Sequence, residues 1–434
     1  MKRIIITLAA LSIALSASAK RSGELAYDTP ENVCMNGSYL NRTIDSIIHK
    51  SIADRCFPGC QILVARHGKI VFNKSYGYHT YENLQAVENN HLYDIASCTK
   101  VMAATLCLMR LVEEKKLSLD EPFSKYFKEF KGTDKESITL RELLTHQSGL
   151  RHINWSKLLL DKKMNRLSDV FSDKKSEDFP YQFGKDLYIK DMHKRMFQQI
   201  VERGLGEKKF YYTCTSFYCY PTLIERITGR NYEEYLYNEF YKPLGCCDVT
   251  YRPTTKYPLS QIVPTDNSKY LHKGLIHGFV HDEAAGTLGG VSGNAGLFAS
   301  AESLAPILQM FLNRGTYNGK RYFKSKTIRE WTSCQYPQNE NYRALGFDRR
   351  RFNDTSILID RKIYYAQSVS ERSYGHSGFT GTMVWVDPEE DLIFIFLSNR
   401  VHLSRNSTVF YDTNPRAKCH EAVYESIRLF RTHR

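Results

Sequence analysis

Hydrophobic and polar positions divide the chain into strand-rich ends and a helix-rich middle. Apolar runs separated by short turns predict β-hairpins over residues 61–78 and 382–397. Apolar residues spaced three and four positions apart predict helices, namely residues 99–114, 140–145, 218–228, 303–312 and a stripe of Cys419, Val423, Ile427 and Phe430. Strands at both ends with helices between them indicate one α/β domain assembled from both ends of the chain around an α-rich insert.

Two stretches lack a clear period. Residues 152–200 are rich in Lys and Asp, and we expect helix and loop there. Residues 286–296 are rich in glycine, which predicts a tight loop of functional interest.

The composition is globular. Of the 434 residues, 42% are hydrophobic and 25% are charged, which excludes a disordered chain, collagen or a coiled coil. The net charge of +13 is compatible with nucleic acid as a partner, but Lys and Arg are scattered beside Asp and Glu. No nucleic-acid-binding motif accompanies them. We therefore expect a solvated basic surface and no nucleic-acid partner.

The first residues have the pattern of a signal peptide. Lys2 and Arg3 precede an apolar run over residues 4–15, and Ala17-Ser18-Ala19 has the small-residue pattern of a cleavage site. The run is too short for a spanning helix. We expect residues 1–19 to be removed after Ala19, leaving an exported protein, periplasmic or extracellular, without stable membrane insertion.

The cysteines do not form a recognisable framework. There are 11, an odd number, at irregular spacing. At least one thiol is therefore free or paired between chains, and a chain of this length buries a core without disulfides. Individual bridges and the oligomeric state stay open at this point.

Ser97 and Lys100 form the first candidate for chemistry. Their spacing places both side chains on one face at the start of a helix. A serine hydroxyl needs a base to become a nucleophile, and a lysine can act as that base if burial lowers its pKa. The start of a helix also offers free backbone N–H groups to a carbonyl oxygen.

The surrounding sequence gives this short motif a context. The runs 93–100, 117–122 and 138–150 follow one another in an order that resembles the serine β-lactamase and penicillin-binding-protein superfamily. The resemblance is to its class C-like branch, which includes class C β-lactamases, D-Ala-D-Ala carboxypeptidases, D-aminopeptidases and related esterases. The superfamily carries the Ser-x-x-Lys motif.

The resemblance implies a fold and a division of the chain. It implies an antiparallel sheet flanked by helices, with an inserted all-helical subdomain. We expect the α/β domain to comprise residues 35–95 and 270–434. The helical subdomain, residues 96–269, would carry the nucleophile and a catalytic tyrosine.

The resemblance also assigns the second catalytic element. Tyr212 precedes the helix that ends near Gly229 and falls on the branch's catalytic tyrosine. Its phenol would move a proton between the nucleophile and the leaving group. Cys214 stands where the branch has Asn or Asp, so a polar contact to a substrate amide is lost, which argues against β-lactam recognition.

A third element lies near the C-terminus. Residues 374–381 match the His-x-Gly form of the branch's edge-strand motif. The resemblance implies an oxyanion hole from the backbone N–H groups of Ser97 and Phe379. Gly378 would let substrate lie along the strand, and His376 would bind a substrate carboxylate or stabilise charge on the tyrosine. Gln147 is also expected to contact substrate.

These features predict an exported serine hydrolase that forms an acyl-enzyme with a small amide or ester. A cell-wall D-amino-acid peptide is the substrate that the resemblance suggests, as for a carboxypeptidase or esterase. A β-lactamase and a binding or sensor module acylated without turnover remain alternatives. No cofactor is required, and no metal, since the His277/His281 pair lies among glycines that oppose a helix.

Overall fold

Strands from both ends of the chain build one seven-stranded sheet. The computed structural model describes residues 24–268, 271–272, 274–351, 363–402 and 404–432. Across the sheet the strands are Ala26–Tyr27, Lys69–Gly77, Gly59–Arg66, Leu392–Ser398, Met383–Asp387, Tyr374–Ser377 and Asp348–Arg349. Only the pairing of Ala26–Tyr27 is parallel. Both predicted hairpins and the predicted fold class are confirmed, whereas the signal peptide, residues 1–19, lies outside the described residues.

The middle of the sheet joins the two ends of the chain. Gly59–Arg66 pairs antiparallel with Leu392–Ser398, from Cys60 opposite Ser398 to Arg66 opposite Leu392. Successive side chains of a strand point to opposite faces of the sheet. Every residue of both strands is buried, so both faces are covered here. The centre of the sheet is therefore an internal layer, and a slip of one residue there would exchange its two apolar surfaces.

Each face of the sheet is covered by helices. On one face Gly37–Ala53 and Pro415–Thr432 pack against Ile62, Phe394 and their neighbours. On the other face Ala301–Leu312 packs against the layer that contains Leu63 and Ile395, and this core continues into the middle of the chain. Cys419, Val423 and Ile427 are buried in the C-terminal helix, as their spacing predicts.

The remaining elements are short. The other helices are Thr105–Glu113, Leu140–Leu144, Trp155–Leu159, His193–Glu202, Tyr220–Thr228, Tyr232–Leu236, Lys242–Leu244, Glu283–Thr287, Ser325–Thr332 and Val409–Thr413. The smaller sheets are formed by Phe171–Ser172 with Leu187–Ile189 and Tyr181–Gly184, Tyr93–Asp94 with Leu297–Ala299 and Thr250–Tyr251, Asp266–Ser268 with Gly274–Ile276, and Thr316–Tyr317 with Lys320–Arg321.

The middle of the chain is not all-helical, which corrects one expectation. Within residues 152–200 a three-stranded antiparallel sheet spans 171–189, where helix and loop were expected. Its strands have two to four residues, too few to show an alternating pattern among the surrounding Lys and Asp. The division of the chain at 95/96 and 269/270 stays a prediction.

Two further observations concern the chain as a whole. All eleven cysteines carry free thiols in the described structure. Within the described ranges no helix is both long and apolar enough to cross a membrane.

The central strand is tied to the segment before the nucleophile by one buried amide. The Gln61 Nε2 donates to the carbonyls of Glu88 (2.7 Å) and His91 (2.9 Å). Its Oε1 accepts from the N–H of Ala301 at 2.8 Å, where a helix begins. Replacing this amide would leave the His91 carbonyl and the Ala301 N–H without a partner, whereas the Glu88 carbonyl keeps the His91 N–H.

We predict that Gln61→Met lowers the free energy of unfolding by about 2–4 kcal/mol, because the orphaned groups lose water without gaining a partner. Urea unfolding followed by tryptophan fluorescence measures the change. Gln182→Met is the matched control, since Gln182 is exposed and its amide makes one bond, to the Lys185 carbonyl. Equal midpoints for the two variants would contradict the prediction.

Candidate active site

Ser97 is presented by a short strained turn between a strand and a helix. Ala96 has a φ of +46°, a left-handed conformation that costs energy in a non-glycine residue. Asp94 holds the turn by accepting the Ala96 N–H at 2.8 Å and the His281 N–H at 2.8 Å. The chain then continues as a π-helical turn, Lys100–Ala104, before the α-helix begins at Thr105.

Ser97 lies between a lysine and a tyrosine. Lys100 Nζ is 2.9 Å from Ser97 Oγ, and Tyr212 OH is 3.1 Å from the same oxygen. Residues from two distant segments thus meet at one hydroxyl. This is the spacing that a nucleophile and its base require.

Lys100 is fully buried and fully coordinated. Besides Ser97, its ammonium donates to Cys214 Sγ (3.3 Å) and to the Asn294 carbonyl (3.2 Å). Burial acts to lower the Lys100 pKa, but Cys214 and Tyr212, which become negative on ionisation, outweigh it and raise the pKa above its ordinary value. The expectation that burial frees the amine is therefore not met by Lys100 alone, and the base must be considered as a Lys100–Tyr212 pair.

Tyr212 is surrounded by nitrogen groups. Arg343 lies 5.7 Å from the centre of its ring and Lys100 lies 5.4 Å from it. The His146 ring is 4.6 Å away and the His376 ring 6.3 Å away. Burial raises the pKa of Tyr212, and Lys100 and Arg343 limit that increase by favouring the phenolate.

The tyrosine segment is anchored to the segment 146–151. The His146 carbonyl accepts the Tyr211 N–H at 2.9 Å, and Thr215 Oγ1 donates to the Arg151 carbonyl at 2.8 Å. His146 itself has a φ of +55°, and burial holds its pKa well below the ordinary value. A neutral ring therefore packs against Tyr212.

Cys214 has a contact that the sequence did not indicate. Its sulfur accepts a hydrogen bond from Lys100, so the thiol contacts the base rather than facing only outward. It contributes a weaker acceptor than the amide or carboxylate oxygen of an Asn or Asp.

The strand Tyr374–Ser377, next to the last strand of the sheet, brings the third element to Ser97. A Cβ at Gly378 would collide with the Thr382 hydroxyl and lie 2.5 Å from the Ile95 carbonyl, so only glycine lets this turn approach the Ser97 segment. Phe379 follows, with its carbonyl accepting Arg400 Nε at 2.7 Å. This proximity is what an oxyanion hole built from the Ser97 and Phe379 N–H groups needs, and that assignment stays a prediction.

His376 is buried beside the tyrosine and is electrically neutral at ordinary pH. Burial lowers its pKa to about 4, although Asp348 opposes the shift. Its Nδ1 donates to the Ser377 carbonyl at 2.8 Å, so Nε2 carries a lone pair and has no partner in the described structure. A lone pair repels a carboxylate, which disfavours the expected carboxylate contact. A substrate N–H or O–H fits Nε2 instead.

Gln147 is held within the protein at both ends of its amide. It is 2% exposed, and its Nε2 donates to the Lys208 carbonyl at 2.8 Å. Its Oε1 accepts from Asn341 at 2.8 Å. Gln147 therefore supports the wall of the site, and its expected substrate contact stays a prediction.

Three residues at the site were missed by sequence reasoning. Arg343 is held against Tyr212 by Asp348 and by the Gly346 carbonyl, and a lone arginine in a loop carries no motif. His146 lies within the run 138–150, but no spacing distinguishes it from its neighbours. Asn294, in the glycine-rich stretch, contributes a carbonyl, and any residue type offers one.

The two histidines weighed as metal ligands lie apart from this chemistry. His281 Nε2 pairs with Asp266 at 2.9 Å, and His277 Nε2 contacts the Ile262 carbonyl at 2.6 Å. Among the residues that the structure describes, no group of three His, Cys, Asp or Glu side chains is placed to hold a metal ion.

Comparison with known proteins gives the same architecture. A Salmonella gallinarum protein named "Putative D-alanyl-D-alanine carboxypeptidase" is 28% identical over 424 residues, which cover 93% of this chain and 92% of that protein. A penicillin-binding protein homologue from Pyrococcus abyssi superposes with a TM-score of 0.61 at 22% identity, covering 86% of this chain and 76% of the other. The D-amino acid amidase from Ochrobactrum anthropi gives a TM-score of 0.61 at 18% identity, covering 90% and 99%.

The family itself is set by a match over most of the chain. The sequence model described as Beta-lactamase matches residues 44–411, a range that includes Ser97, Lys100, Tyr212 and the His376 strand. The chain belongs to the beta-lactamase family of serine hydrolases.

Proposed function

We propose that this protein is an exported hydrolase that cleaves a small amide or ester through an acyl-enzyme on Ser97. The observation that carries the proposal is the pair of hydrogen bonds at one oxygen, from Lys100 Nζ at 2.9 Å and Tyr212 OH at 3.1 Å. A serine between two such groups can lose its proton as it attacks. Export rests on the N-terminal sequence pattern of residues 1–19.

The reaction follows from where the proton can go. The reactive form of the Lys100–Tyr212 pair is the one that has already lost a proton. Ser97 Oγ forms a bond to the substrate carbonyl carbon, and the Ser97 proton passes to this pair. The N–H groups of Ser97 and Phe379 stabilise the carbonyl oxygen as it becomes negative. Tyr212 returns the proton to the leaving amine or alcohol as that bond breaks. A water molecule then attacks the acyl-enzyme in the same way, and the bond to Ser97 breaks to release the carboxylic acid.

The substrate class is proposed from the relatives. Proteins 28% identical to this chain carry the name of a D-alanyl-D-alanine carboxypeptidase, and the structural neighbours include a D-amino acid amidase. A D-amino-acid peptide of the cell wall fits both names. Replacement of the family's usual Asn or Asp by Cys214 removes an amide contact and argues against β-lactams as good substrates.

We predict that the full chain forms a covalent adduct on Ser97 with a fluorophosphonate, because the Lys100–Tyr212 pair lies at hydrogen-bond distance from this hydroxyl. Intact-protein and peptide mass spectrometry locate the adduct, and Ser97→Ala is the control. An unmodified Ser97 after both a fluorophosphonate and a labelled penicillin would overturn the nucleophile assignment.

The penicillin arm distinguishes the remaining alternatives. A penicillin adduct that decays within minutes indicates a hydrolase. If the decay is faster than that and releases hydrolysed penicillin, the hydrolase is a β-lactamase. A permanent adduct favours a sensor or binding module on the same fold.

We predict that Tyr212→Phe lowers the acylation rate by about 10²–10⁴-fold, because the phenol relays the proton. The acylation rate of the unmodified protein should rise with pH. The reactive pair holds one proton fewer, and the raised pKa values of Lys100 and Tyr212 mean that this form increases as the pH rises. Stopped-flow acylation with an activated ester measures both effects. Tyr211→Phe is the matched control, because the adjacent Tyr211 is 46% exposed and packs on His152 instead. Similar losses in the two variants would contradict a role of the Tyr212 hydroxyl.

We predict that His376→Ala lowers kcat/KM about tenfold for peptides with a free and with an amidated C-terminus alike, because a neutral acceptor is lost rather than a cation. With a pKa of about 4, His376 is half protonated near pH 4 and adds no inflection to the rate between pH 5 and 8. Paired substrates assayed across that range provide the measurement. A loss of kcat/KM confined to the peptide with a free C-terminus would contradict the prediction and support a contact between His376 and the substrate carboxylate.

A further inference from the structure

A groove lined by arginines lies away from the nucleophile. It encloses about 1190 Å³ between the end of the helix Ala301–Leu312, the helix Ser325–Thr332 and the start of the edge strands Asp348–Arg349 and Tyr374–Ser377. None of the three proposed catalytic side chains lines it. It therefore has to be considered as a feature separate from the active site.

The charge of the groove is one-sided. Its described lining includes four arginines, Arg314, Arg329, Arg349 and Arg372, against one acidic side chain, Asp391. Asp391 is engaged by His67 Nδ1 at 3.1 Å. An excess of four cations over one carboxylate costs stability, which indicates a role outside folding.

Three of the arginines have side chains available to a ligand. Arg314, Arg329 and Arg372 are exposed, and within the described chain none of their guanidinium groups makes a hydrogen bond or ion pair. This differs from most basic side chains near acidic neighbours here, such as Arg141, which binds Asp120 and Glu330.

Arg349 forms a fixed part of the wall. Its Nη1 and Nη2 donate to the carbonyls of Thr332 (3.1 Å) and Glu371 (2.6 Å), which join the helix to the edge strand. Its Nε is buried without a partner in the described structure. Burial lowers the pKa of Arg349 and nearby Arg372 lowers it further, whereas Cys334 and Glu371 oppose the shift.

The base of the groove is apolar. Phe311, Leu312, Ile328 and Tyr374 line it and are themselves buried. A volume of about 1190 Å³ exceeds a single phosphate and suits an organic ligand. Guanidinium groups match the two oxygens of a carboxylate or phosphate.

We propose that this groove is a second binding site, for an organic ligand that carries at least two phosphate or carboxylate groups. The anionic groups bind Arg314, Arg329 and Arg372, and the body of the ligand lies over Leu312 and Ile328, the more exposed of the apolar side chains at the base. The site does not depend on the proposed hydrolysis, because no residue of the reaction belongs to it.

The test is calorimetric titration of the full chain with sodium pyrophosphate and, separately, trisodium citrate, at constant ionic strength in chloride. We expect saturable 1:1 binding of at least one probe. The double variant Arg329→Gln/Arg372→Gln should weaken it by at least about tenfold, since two charge-assisted contacts are lost. Binding of pyrophosphate alone identifies a phosphate ligand, and binding of both probes extends the site to carboxylates.

Two controls make the result specific. Arg42→Gln removes an exposed arginine on the opposite face of the sheet, in the helix Gly37–Ala53, and should leave affinity unchanged. Ser97→Ala removes the nucleophile and should also bind normally. Thermal melts establish that each variant is folded. No saturable heat with either probe, or equal affinity in the double variant, would overturn the proposal.

Discussion

The buried ammonium of Lys100 is the constraint on which the active site depends. A charged group removed from water is tolerated only when its hydrogen bonds are supplied by the protein. Here Ser97, Cys214 and Asn294 supply them, and each belongs to a different segment of the chain. Satisfying one cation therefore fixes the relative positions of the nucleophile turn, the tyrosine segment and the glycine-rich loop.

The surroundings of the lysine then determine which other groups are charged. Two histidines close to Tyr212 are kept neutral by burial, whereas the Arg343 guanidinium is paired with the Asp348 carboxylate. The site thus concentrates positive charge around one phenol while keeping the neighbouring rings uncharged. A negative charge on the tyrosine is therefore stabilised by Lys100 and Arg343 without either histidine having to change its protonation state.

How much of this was accessible from the sequence differs from one feature to the next. Long periodic helices and hairpins were predicted because their patterns repeat over many residues, as in 303–312 and 61–78. Ser97, Lys100 and Tyr212 came from short motifs in a fixed order. Arg343 was not predictable, since it reaches Tyr212 only through tertiary folding. The hydrogen bonds that hold Gln147 to Lys208 and Asn341 were not predictable either, since sequence does not show which partners a buried amide finds.

The pairing of Gly59–Arg66 with Leu392–Ser398 has a consequence for how the chain folds. The sheet's central contact joins residues more than 300 positions apart, so its loop-closure entropy is offset only after the last strand has been synthesised. Such long-range topology folds slowly, and an amino-terminal half made first can form the hairpin of Gly59–Arg66 with Lys69–Gly77 but not the pairing on the other edge of Gly59–Arg66. During synthesis that edge stays open until nearly the whole polypeptide is available, and in that interval the apolar strand that contains Ile62 and Ala65 is exposed to self-association.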